Sequence, residues 1–347
     1  MFGRWLRILG QSWKRREPRA PERRAVPSRS RATAGAASRS EAEPPAPRPS
    51  QLIESLDTQA AEAKLAPAER DLLERISARI DSGRFELPHL PATSMALLRL
   101  TRKRGVDIER LVELIHSDPV LASELLRTAN SVLYATTMPA ETLESAVMRI
   151  GLDGLRTLVL SVSVKSTVLR LGELESFSRE VWRQAFSVAR IARAIGPEVR
   201  IEKDRAFLMG LLHDIGKIAL LAMLSREQRA GERIGPALVG RVFYVHHERA
   251  GALLCEKWKL DEEMTSVAGN HHRFETNEAH GRSAALVSLA HKLDLHLGTG
   301  HGDSLRELLG APELDALGLD REGRESLLDQ ARRAFHEGQA EAGAEAA

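Results

Sequence analysis

From about residue 51 onward, apolar side chains recur at three- and four-residue steps, the spacing that lines one face of an α-helix, and no apolar–polar alternation lasts long enough to read as a strand. Starts and stops are legible too. Residues 51–84 read as a helical lead-in of two helices parted near Pro67, and "FELPHLP" after them is extended, because a residue before proline avoids the α region. Asp107 and Asp118 are N-caps. The first opens a helix with Leu111, Leu114 and Ile115 on one face; the second precedes Pro119, whose missing N–H costs nothing at the first helical position. Further helices stop at Gly151 and at Gly196-Pro197, with a new start at Asp153. A long helix runs from about Asp204 to Leu224, others lie near 246–258, 261–272 and 283–297, and two short Leu-rich helices are expected between 303 and 335. Residues 336–347 read as a disordered tail. The fold class is all-α.

Composition changes the picture only at the amino terminus. Seven of the 15 prolines fall within residues 1–50, together with twelve Arg/Lys and four Asp/Glu, so this segment carries +8 and the remaining residues 2 − 8 = −6. A stretch so basic and proline-rich cannot bury enough apolar surface to fold alone, and residues 1–50 read as a disordered basic segment. Its start differs: "MFGRWLRILGQSWKR" sets Phe2, Leu6, Leu9 and Trp13 at helical steps among Arg4, Arg7, Lys14 and Arg15. Residues 1–16 thus read either as a short amphipathic cationic helix suited to an anionic membrane surface or a partner's groove, or as a frayed start with no role. No run of about 18 uninterrupted apolar residues could span a bilayer. Cys255 is the only cysteine, which excludes a disulfide framework and suits a cytoplasmic location. No feature points to a specific nucleic acid.

The chemistry concentrates in one region. Seven of the twelve histidines lie between 213 and 291: His213, His246, His247, His271, His272, His280 and His291. They surround "GLLHDIGKIALL", where Asp214 sits in an apolar run and needs a partner, since an unpaired buried charge is costly. Imidazole and carboxylate are ordinary ligands for zinc, iron or manganese. Plainer readings stand beside that one. His213 and Asp214 form a buried hydrogen-bonded pair, His246–His247 open a helix, and His271–His272 end one in favourable contact with its dipole. Lys217 is a helix-edge cation, solvated or paired with a glutamate. Asn130 and Ser131 cap a helix, and Trp182 and Trp258 pack in the core.

"ELPHLPATSMALLRL", "LVELIHSDPVLASELLRTANSVLY", "LESAVMRIGLDGLRTLVLSVSV", "FLMGLLHDIGKIALL" and "HHERAGALLCEKWKL…NHH", in that order, resemble an HDOD domain over about residues 85–292. This is a regulatory branch of the HD superfamily of metal-dependent phosphohydrolases. The resemblance implies an HD-type helical bundle preceded by a smaller helical subdomain, with residues 293–335 as C-terminal helices beyond it. It also implies a metal held by an upstream His, the His–Asp pair and a downstream Asp. The pair matches His213 and Asp214, but "VWRQAFS" puts Gln184 at the upstream position and "LVSLAHKLD" puts His291 at the downstream one, with Asp294 a turn further on as a substitute. An amide is a poor replacement for imidazole around a transition metal.

The expectation is therefore a non-catalytic signalling module that binds a partner protein, or a nucleotide second messenger, through a degenerate pocket of Gln184, Lys217, His247, His271, His272 and Asp294. No cofactor is expected; iron, manganese or zinc would be the ion for a three-ligand remnant of His213, Asp214 and His291. The alternative is a phosphohydrolase with an altered ligand set.

Overall fold

A computed structural model of the chain describes residues 65–83, 88–102, 105–131, 134, 138–168, 174–229, 234–299 and 304–346. The amphipathic segment 1–16, the basic stretch to residue 50 and the first lead-in helix lie outside these residues. Every regular element among the described residues is helical, as the apolar spacing predicts.

The amino-terminal half is built from α1 (Pro67–Ser82), α2 (Ala92–Leu100), α3 (Ile108–His116), α4 (Pro119–Ala129) and α5 (Leu143–Val168). Its caps follow the sequence. Asp107 accepts from the backbone N–H of Arg110, and Asp118 from those of Val120 and Leu121. Gly151, at φ 71°, bends α5 where a residue with a Cβ would be strained. Asn130 does more than close α4: its side chain donates to Ala140 O at 2.8 Å and accepts from Ala140 N–H at 2.6 Å, pinning the approach to α5.

The carboxyl-terminal half comprises α6 (Glu175–Ile195), α7 (Lys203–Leu212), α8 (Ile215–Glu227), α9 (Pro236–Lys257), α10 (Glu262–Asn270) and α11 (Gly281–Thr299). Three further helices follow: α12 (Leu305–Leu309), α13 (Pro312–Ala316) and α14 (Arg321–Ala346). Within residues 203–227 lies an 18-residue window apolar enough to cross a membrane, with mean hydropathy 1.7, yet that window is entirely buried inside the fold. Two glycines permit close packing here. A Cβ on Gly210 would lie 2.7 Å from Ala189 Cα, and one on Gly216 would lie 1.9 Å from His247 O, so α7 meets α6 and α8 meets α9 nearly backbone to backbone.

Four expectations change. The run from Asp204 to Leu224 is two helices, broken at His213–Asp214, because both residues turn into the interior. His246 and His247 lie in the middle of α9, which starts at Pro236, a first-turn proline. Three helices occupy residues 305–335 in place of two, divided around Gly310 and Gly318. The last helix also continues through residues 336–346, read as a tail without structure, because Ala, Glu and Gln there favour helix over the two glycines present.

Candidate functional site

Six helices deliver the pocket. The α7–α8 junction supplies His213 and Asp214, the first turn of α8 Lys217, mid-α9 His247, the end of α10 His271 and His272, α6 Gln184, and α11 His291 and Asp294. All are buried except His272, which is exposed at the rim.

Asp214 is the hub, with its two oxygens differently engaged. Oδ2 lies 2.9 Å from Lys217 Nζ and 3.2 Å from His213 Nε2. Oδ1 faces His271 Nε2 at 3.7 Å and His247 Nε2 at 3.8 Å. Burial alone would raise the Asp214 pKa, but His213 and Lys217 outweigh it and hold the carboxyl well below its usual range. Lys217 is thus no solvated helix-edge cation. It is fully buried, because α8 is apolar on every side and offers no wet face. An Asp–Lys pair three residues apart in an all-apolar run is the signal that identifies it in the sequence.

The imidazoles are held in defined tautomers. His213 Nδ1 lies 2.7 Å from Gly210 O and His247 Nδ1 lies 2.7 Å from Phe243 O. A carbonyl only accepts, so each Nδ1 carries a proton and each ring turns its Nε2 inward toward Asp214. Neither ring nitrogen of His271 has a hydrogen-bond partner, although the residue is fully buried. Burial, with His272 and His213 nearby, holds the His271 pKa well below that of free imidazole; burial and His213 do the same to His291. Two groups therefore have the donor spacing of a metal site: His213, His271 and His291, and His247, His271 and His272, each with ligand atoms within 4.8 Å of one another.

The two departures from the superfamily pattern touch each other. Gln184 Nε2 lies 3.4 Å from His291 Nε2 in the buried interior. Asp294 belongs to neither histidine group; a hydrogen bond from Ser187 does not overcome burial, and its pKa is pushed up to about 6. His246, one step from His247, shares a 2.8 Å hydrogen bond with Ser77 of α1.

The family model of the HDOD domain matches residues 87–274, more than half of the chain. The chain belongs to the HDOD domain family. An uncharacterized protein of Treponema pallidum (strain Nichols) is 27% identical over 208 residues, covering 57% of this HDOD chain, which spans only 39% of that relative's length. Among solved structures, a candidate metal-dependent phosphohydrolase from Shewanella amazonensis SB2B aligns with TM-score 0.58 at 20% identity, over 77% of this chain and 99% of that one. An HDOD domain protein of unknown function from Geobacter sulfurreducens aligns with TM-score 0.56 at 23% identity, over 77% and 98%. At such identities the likeness establishes the fold alone, an all-helical HDOD bundle.

Proposed function

We propose that this HDOD protein is a regulatory module that does not hydrolyse phosphoesters and acts by binding a signalling protein. The observation that carries the reading is the contact between Gln184 and His291. In the superfamily pattern these positions supply an imidazole and a carboxylate to a catalytic ion. Here they supply a neutral amide and an imidazole that engage each other, so one carboxylate is lost and a donor is diverted from any ion. The helical bundle then serves as a scaffold for recognition. Residues 1–16 supply the location, an anionic membrane surface on the cytoplasmic side.

The test is turnover. The full chain, supplied with manganese or iron(II), is expected to leave bis(p-nitrophenyl) phosphate and cyclic dinucleotides intact. Hydrolysis by wild type that disappears in Asp214→Asn would show the reading to be wrong and support a phosphohydrolase with an altered ligand set.

A further inference from the structure

We propose that a cavity between the two halves of the chain binds one medium-chain aliphatic carboxylate, its alkyl chain against a set of leucines and its acid group at Arg102. None of the residues lining this cavity belongs to the histidine pocket, and the assignment does not depend on the regulatory reading.

The cavity, about 530 Å³ in volume, lies where α2 and α5 of the amino-terminal half meet α7 and the start of α10. That size falls within the range of about 300–1,000 Å³ typical of small-molecule sites. Leu98, Leu160, Leu208, Leu260 and Met264 supply the apolar surface. Leu260 is half-buried and the other four are buried. Among the described residues no aromatic ring lines the cavity. A nucleobase would find nothing to stack on there, whereas an alkyl chain needs only aliphatic contact.

The lining charges decide which group the chain carries at its end. Each acid is already engaged. Asp153 pairs with Arg156, Asp204 with Arg193 at 2.9 Å and Asp261 with Arg205 at 3.1 Å, while Glu202 accepts the backbone N–H of Arg205 at 2.8 Å. Arg102 is exposed, and among the described residues its guanidinium has no partner. Arg156 offers a second donor, because its Nε–H is buried without a hydrogen-bond partner. Such a donor is costly to leave unmade, and an acceptor entering the cavity would satisfy it. Another N–H of Arg156 donates to Thr101 O, which ties α5 to the residue before Arg102. The spare charge is therefore positive, and a carboxylate matches it through charge-assisted hydrogen bonds.

An occupant would touch both halves at once. Binding should hold them together and raise the melting temperature as ligand is added.

The experiment is calorimetric titration of the full chain with octanoate, decanoate, 1-octanol and octylammonium, with thermal melts alongside. Wild type should bind one decanoate per chain, and octanoate more weakly by about 4-fold for each methylene removed, the equivalent of one buried CH₂. Octanol and octylammonium should bind at least about 10-fold more weakly than octanoate. Arg102→Ala, a surface change, should weaken octanoate by about 10-fold and leave octanol unaffected, and Arg102→Lys should restore part of the loss. Leu260→Trp, which fills the cavity from its half-open side, should abolish binding of both. No saturable binding, octanol or octylammonium as tight as octanoate, or undiminished octanoate binding by Arg102→Ala would each overturn the assignment. Undiminished binding by Leu260→Trp would place the ligand elsewhere, on residues 1–16 with their own cations and apolar side chains for example, and would overturn it as well. Arg102→Ala keeps the test decisive should Leu260→Trp fail to fold. Phosphoester turnover would sink the regulatory reading and leave this site standing, so the two fail separately.

Discussion

Asp294 shows how far a single buried group can set the pH response. Its carboxyl is pushed up to about 6 from an unfolded value of 3.8, chiefly by burial, while Ser187 only moderates the shift. Below the lower value both states are protonated and the group contributes nothing to stability. Between the two values the native state holds the extra proton, so stability falls as pH rises, and above about 6 the full cost is present, on the order of 3 kcal/mol. Asp294→Asn removes the ionisation. Urea unfolding should therefore find the variant more stable than wild type at pH 7.5 by up to that amount, with the gap closing toward pH 4. A constant gap across that range would mean that Asp294 does not titrate as its burial implies. Residue-level chemistry was only partly legible in the sequence. Histidine clustering located the pocket, and Gln184 and His291 were identifiable by comparison with the superfamily pattern. Their mutual contact, and the division of Asp214 between Lys217 and the outer histidines, depend on where six helices meet, which no local spacing encodes.

Helix α1 lies ahead of the family match, which begins at residue 87. Its apolar stripe of Leu72, Ile76 and Ile80 is fully buried, and Gly83 at φ 65° closes it in the left-handed conformation glycine favours. Polar contacts fix its register on α8 and α9. Arg75 donates to Glu227 O at 2.9 Å, Arg79 pairs with Glu227 at 2.7 Å, and Asp81 pairs with Arg249 at 2.6 Å. The helix is thus part of the bundle and braces the two elements that carry Lys217 and His247. Ile76→Ala should cost about 2–5 kcal/mol in urea unfolding, as for a deeply buried large-to-small change. A loss under 0.5 kcal/mol would mean that α1 is only loosely attached. Pro67 marked the start of this helix correctly, as Asp107 and Asp118 marked theirs. The boundaries that differ have separate causes. His213 and Asp214 break a helix without glycine or proline at the break, whereas α9 starts at a local signal, Gly235-Pro236, ten residues before the His-His pair.

Taken as one molecule, the chain joins a strongly basic segment to an acidic body, +8 over residues 1–50 against −6 over the rest. An anionic membrane would attract the first and repel the second, so any attachment must come from the segment itself. Residues 1–16 contain five Arg/Lys and no acid, alongside Phe2, Leu6, Leu9 and Trp13. Each cation near an anionic surface contributes about 1 kcal/mol, and the four apolar side chains would add to this by insertion. The electrostatic share decays within about 8 Å at physiological salt, so it should weaken as salt rises while the apolar share persists. The full chain should therefore co-sediment with phosphatidylserine-containing vesicles at low ionic strength, bind less in 0.5 M salt, and bind neutral vesicles poorly. Deleting residues 1–16 should abolish sedimentation at every salt concentration while leaving the melting temperature of the helical body unchanged, because the described bundle begins beyond them. Equal sedimentation with and without those residues would transfer the membrane contact to the body, whose net negative charge would then require a local basic face to make it.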